Sequence, residues 1–177
     1  RKAGLTPVIA DVKCNALKHA FDTNPDKNKI PEPYALLEFG ADENYIYIIN
    51  SVSNIKFNIT ISDDDRQLII KNTNDKDAIQ GFVQRYAGQL QDVLDNYTKQ
   101  HKHSNKVYNI YVSSNTPLHV DDASSEPFIN TFITCLTELM GSCKISPCTF
   151  CNHIEVPAEF AKKVNAEGNL SSWATVL

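Results

Sequence analysis

The feature that most constrains this chain is a long stripe of apolar residues between Asp75 and Lys99. Ile79, Phe82, Val83, Tyr86, Leu90, Val93, Leu94 and Tyr97 recur at spacings of three and four, which predicts one amphipathic helix over the whole stretch. A stripe of that length must be covered, and strands upstream supply the cover. Tyr34–Phe39 and Asn44–Asn50 are rich in aromatic and branched residues on either side of Gly40-Ala41-Asp42-Glu43, the pattern of a hairpin. Asn54–Ile61 alternates apolar and polar residues through Ile55, Phe57, Ile59 and Ile61. After a turn at Ser62-Asp63-Asp64-Asp65, Gln67–Lys71 is expected to form a fourth strand. The four are expected to pair as one antiparallel sheet with a solvated face. Ahead of them, Thr6-Pro7 caps a helix whose apolar face runs from Val8 to Phe21.

Downstream, Val107–Ser113 reads as a strand, residues 127–140 as an amphipathic helix opened by Pro127 and ended by Gly141, and Ser142–Ser146 as a short strand. Two strands joined by one crossing helix make a parallel, right-handed unit. A further helix from Pro147 towards Asn165 and an edge strand over residues 170–177 complete the reading. The expected fold is α/β, a central mixed sheet flanked by helices. It forms a single domain over residues 1–177, with residues 1–105 as its first part and 106–177 as its second.

Charge and cysteine usage narrow the function classes. A net charge of −4 argues against a protein that grips long duplexes through phosphates. No apolar run approaches the ~20 residues that cross a bilayer, so no membrane role is expected. Of five cysteines, four cluster at positions 135, 143, 148 and 151, which suits metal binding or reduced thiols better than a disulfide framework. The expected working compartment is therefore a cytosol. The start at Arg1 without methionine leads to the expectation of a domain cut from a larger parent polypeptide or of a processed chain, and the charge leaves small ligands, a locally basic groove or a protein partner open.

Cys148 and Cys151, two residues apart, can face one metal when Pro147 opens a helix and both thiolates lie on its first turn; zinc is the usual occupant. Glu126 stands at the start of the preceding helix. The order carboxylate, helix, strand, Pro-Cys-x-x-Cys resembles the zinc-dependent cytidine and nucleic-acid deaminase superfamily, through Ser125-Glu126-Pro127 and Pro147-Cys148-Thr149-Phe150-Cys151. The run Gly141–Ser146 is similar to a bacterial effector or toxin branch of it. The resemblance covers residues 106–177 and implies a cytidine-deaminase-like C-terminal third. It also implies hydrolytic deamination of a nucleobase, carried by a nucleotide or by single-stranded nucleic acid. Zinc would be held by Cys148, Cys151 and a third ligand, and would supply hydroxide at neutral pH; Glu126 would shuttle the proton. The family's first ligand position is occupied here by Ser124, a poor zinc ligand. His119 is the favoured substitute, with Cys143 and His153 as others. The resemblance further implies an effector that is either cytoplasmic or delivered into another cell's cytosol.

Two other readings stand beside this one. Cys14 in a helix, with His119 and Asp121 as partners, loosely resembles papain-like effector proteases and deamidases. Alternatively, the loss of the first ligand leaves an inactive zinc-bearing interaction module.

Overall fold

A computed structural model of the chain describes residues 18, 21–22, 30–42, 44–71, 73, 75–101, 105–114 and 128–148. After helical residues at positions 18, 21 and 22 come three strands: β1 (Tyr34–Phe39), β2 (Tyr45–Ile49) and β3 (Asn54–Asn58). Helices α1 (Asp63–Ile70) and α2 (Lys76–Gln100) follow, then β4 (Asn109–Ser114), α3 (Phe128–Leu139) and β5 (Lys144–Pro147). The five described strands share one sheet in the order β3-β2-β1-β4-β5. The β1–β2 and β2–β3 pairs are antiparallel. The β1–β4 and β4–β5 pairs are parallel. The central mixed sheet flanked by helices is thus the observed architecture.

Both faces of the sheet are covered at its centre. On the first face, Ala35, Leu37, Phe39, Ile46, Ile48, Ile110, Val112 and Ile145 meet the apolar stripes of α2 and α3. Phe39 lies at the middle of this core, its ring stacked 4.1 Å from Phe132 and edge-on to Tyr86 at 5.7 Å. On the second face, Tyr34, Leu36, Tyr47 and Ile49 pack with Phe21, which is helical and stacks on Tyr34 at 5.0 Å. β1 is buried along its whole length. This is why its sequence, Glu38 apart, is an apolar run rather than an alternating one.

Three expectations are corrected. Gln67–Lys71 is not a strand: residues 63–70 form α1. Ser62 caps that helix, accepting from the Asp65 amide and donating to its carboxylate at 2.8 Å, and three aspartates in the first turn complement the helix dipole. The antiparallel set therefore has three strands, and it is one wing of the mixed sheet. Pro147 does not open a helix; it ends β5 opposite Val112. The amides of Lys144 and Cys148 donate to Tyr108 and Val112 carbonyls, so the odd-numbered positions between them turn their nitrogens to the open edge. A proline there removes no ladder bond, which is the place a strand tolerates one. The first helix is described only at Lys18, Phe21 and Asp22, and the helix and strand expected after Cys151 lie outside the described residues.

Candidate functional site

Because β1, β4 and β5 run parallel, their carboxyl ends meet at one edge of the sheet. The register sets Glu38 beside Ser113 and Phe39 beside Ser114. It also sets Val112 beside Pro147, with the Cys148 amide bonded back to the Val112 carbonyl at 2.7 Å. Glu38, Ser113 and Cys148 therefore form a row across three adjacent strands, about 4.8 Å apart from strand to strand. Alternation along each strand points all three to the second face. Tyr45 on β2 extends the row on the far side of Glu38. A carboxylate, a hydroxyl and a thiol are thus brought together from positions as far as 110 residues apart in the chain.

The row lies where chain direction switches. From β1 the chain passes to β2 and β3 on one side, then crosses by α1 and α2 to β4 on the other. In open α/β sheets, ligands bind outside the carboxyl ends of the strands at such a point. The polar residues here are buried rather than solvated: Glu38 is 5% exposed, Ser113 7% and Ser114 8%. Burial of a carboxylate demands partners, and Tyr47 donates its hydroxyl to Glu38 at 3.2 Å.

The turn that follows β1 is held from three directions. The Asn44 side chain donates to the Gly40 carbonyl at 2.7 Å and accepts from the Gly40 amide at 3.3 Å. Tyr86 of α2 donates its hydroxyl to the same Asn44 oxygen at 3.2 Å. Arg66 of α1 donates to the Ala41 carbonyl at 3.1 Å. The end of β1 is therefore fixed by both helices of the crossover, and Glu38 with it.

Cys148 is half-buried and packs with the tyrosine-rich cluster of the second face. The Tyr111 phenol is held above its ordinary range, first by burial and then by the nearby Cys148. Cys143 belongs elsewhere. It is 8% exposed and precedes β5 at the opposite edge, with its sulfur 3.5 Å from the Val107 carbonyl. Burial pushes its thiol up, and a contact with Ser142 pulls it partly back. At about 3.3 Å per strand residue, Cys143 and Cys148 are on the order of 16 Å apart, so Cys143 cannot be the third ligand of a metal on Cys148.

Of the residues singled out in the sequence, Cys148 is described and stands in this row. Glu126, His119, Cys151, Ser124, Asp121, His153 and Cys14 lie outside the described residues. By chain order, residues 115–127 join the end of β4 to the start of α3. Among the described residues, no group of three or more His, Cys, Asp and Glu side chains could hold a metal, and no helix is long and apolar enough to cross a membrane. Glu38 and Ser113 were missed by sequence reasoning. The signal was present, since Glu38 is the single charge in the run Tyr-Ala-Leu-Leu-Glu-Phe, and a charge inside a buried strand calls for a reason.

No protein-family model matches the chain, and no curated protein matches it. A solved structure of a PilM–PilN type IV pilus biogenesis complex is similar to it, with a TM-score of 0.58 at 16% identity. The match covers 98% of this chain and 54% of that one, so the chain spans about half the length of its structural neighbour. At that identity the likeness is one of fold.

Proposed function

We propose that this domain binds a nucleotide at the carboxyl edge of β1, β4 and β5, as one part of a larger protein. The observation that carries the reading is the buried row of Glu38, Ser113 and Cys148 at the point where the sheet reverses direction. Nucleotides bind at this point in doubly wound sheets, with a carboxylate accepting from a ribose hydroxyl. Glu38 suits that role, and the Ser113 hydroxyl can donate to an acceptor on the ligand. The neighbouring structure is that of a pilus assembly complex. By analogy of fold alone, a place in a multi-protein assembly is the matching proposal for this chain.

The test is calorimetric titration of the full chain with ATP, GTP, CMP and a short single-stranded oligonucleotide, with and without magnesium. Binding by at least one nucleotide, weakened about tenfold in Glu38→Gln, or about 1.4 kcal/mol, supports the reading. Absence of heat from every nucleotide up to millimolar concentration overturns it.

A second reading keeps deamination, with the base hydrolysed rather than held. It is favoured by one observation: β4, α3, β5 and Cys148 follow in the order that the deaminase resemblance implies. Of the two proposed donors among the described residues, Cys143 is too far away, while Cys148 is a half-buried thiol at a strand end that can reach a ligand. Zinc on Cys148, Cys151 and His119 would supply the hydroxide, and Glu126 would take and return its proton. Stoichiometric zinc that is lost in Cys148→Ala, with conversion of cytidine to uridine seen by mass, would establish this reading over the first.

A further inference from the structure

We propose that the outer edge of β3, on which no described strand pairs, receives an extended segment of a partner protein, acidic at its centre with an apolar residue on either side, as an added strand. The inference does not rest on nucleotide binding: β2 lies between β3 and β1, the strand that carries Glu38.

The backbone pattern shows which groups are open. The Ile59 amide donates to Asn44 and the Asn50 amide to Ser53, and in an antiparallel ladder such bonded pairs alternate with unbonded ones. Residues 53, 55, 57 and 59 therefore bond to β2. The amides and carbonyls of Asn54, Lys56 and Asn58 face away from the sheet. Two residues beyond Asn58, Thr60 occupies the next outward position, and there a partner exists. The Gln89 side-chain amide of α2 accepts from the Thr60 N–H at 3.0 Å and donates to its carbonyl at 2.7 Å. Gln89 pairs with that peptide as a neighbouring strand would. The pairing stops there, so three successive outward peptides are left in register with it.

An edge lysine ordinarily guards such a strand. Lys56 does not stand over the edge, because its ammonium is folded back to 3.5 Å from the centre of the Tyr45 ring and 5.8 Å from that of Tyr47. Among the described residues it meets no carboxylate. Charge then selects the occupant. Two copies of β3 paired about a two-fold axis at this register would set Lys56 directly opposite Lys56, an unfavourable pair. An incoming strand with a carboxylate at that position meets the lysine favourably. Its two neighbours point to the first face, beside the half-buried Ile55 and Phe57, where apolar side chains fit. Backbone bonds supply the affinity and the alternate side chains the selectivity, as in other strand-addition complexes.

The test uses two labelled peptides with the cores Thr-Val-Glu-Val-Thr and Thr-Val-Lys-Val-Thr, titrated against the full chain by anisotropy and by amide exchange. The acidic peptide is expected to bind at least tenfold more tightly and to protect the Lys56 amide from exchange. Lys56→Glu, an exposed change, should reverse the preference. Asn58→Pro removes an outward N–H that the sheet does not use and should abolish binding with the fold intact. Equal binding of both peptides, no binding up to millimolar concentration, or a dimer of the chain that Asn58→Pro dissolves would each overturn the proposal.

Discussion

Neighbouring residues of β1 should differ sharply in what their substitution costs, because alternation puts Phe39 in the helix-covered core and Glu38 in the row on the other face. Phe39 is fully buried, and the rings of Phe132, Tyr86, Phe82 and Phe128 lie within 4.1–6.2 Å of its own. Phe39→Ala removes all of these contacts and leaves a cavity that four large rings cannot readily fill. The expected loss is about 3–5 kcal/mol, a large share of the roughly 5–15 kcal/mol that holds a domain folded. With a urea dependence of about 2 kcal/mol per molar, the unfolding midpoint should fall by about 2 M. Glu38→Gln keeps the shape of the side chain and an oxygen that can accept from Tyr47, so stability should change by under about 1 kcal/mol, or about 0.5 M. Urea titration followed by far-ultraviolet circular dichroism measures both. A midpoint shift below about 0.5 M in Phe39→Ala, or a larger loss in Glu38→Gln than in Phe39→Ala, would refute the assignment of the two faces.

Asp65 should make the fold acid-sensitive. Burial pushes its carboxyl up, but the Arg85 hydrogen bond and charge and the Ser62 hydroxyl outweigh this and hold it below the usual range. The stabilisation is present above the ordinary carboxylate range near 4 and is lost as pH falls through the lower folded value. Asp65→Asn should therefore cost about 1 kcal/mol at pH 7, discounted because Arg85 is 60% exposed, and the difference from the unaltered protein should close below about pH 4. For the thiols, site-resolved mass spectrometry of iodoacetamide labelling should find Cys148 modified well before Cys143, whose buried thiol is pushed up. Asn50→Ala should loosen the β2–β3 turn, because Asn50 accepts from the Val52 and Ser53 amides at 2.9 and 2.7 Å and donates to the Tyr97 hydroxyl at 3.0 Å. A loss of about 1–2 kcal/mol and faster exchange of the Val52 amide are expected.

What the sequence made legible was the part written in local periodicity. The stripe from Ile79 to Tyr97 and the alternation of β3 each carry a spacing that only one element satisfies, and the aromatic and branched content of β1 and β2 on either side of Gly40 marked them as strands. α1 was misread because Leu68-Ile69-Ile70 is a short apolar run, which spacing alone cannot assign, and because three aspartates after Ser62 look like a turn. The Ser62-x-x-Asp65 cap was the signal that could have decided it. Pro147 shows the same difficulty in reverse, since a proline suits a helix start and an outward strand position equally. The candidate site was less legible still. Glu38, Ser113 and Cys148 meet only because β4 pairs with β1 rather than with β3. That choice is made by how α2 and α3 cover the first face, which no local pattern records.

The most direct test of the carboxyl-edge site is a nucleotide titration followed through backbone amide shifts. The account predicts movement at Glu38, Gly40, Ser113, Ser114 and Cys148, with little at the far edge of the same strands. There, Leu94, Lys106, Tyr108 and Cys143 line a separate cleft of about 390 Å³. Shifts confined to Tyr108, Cys143 and their neighbours, or none at all, would contradict it.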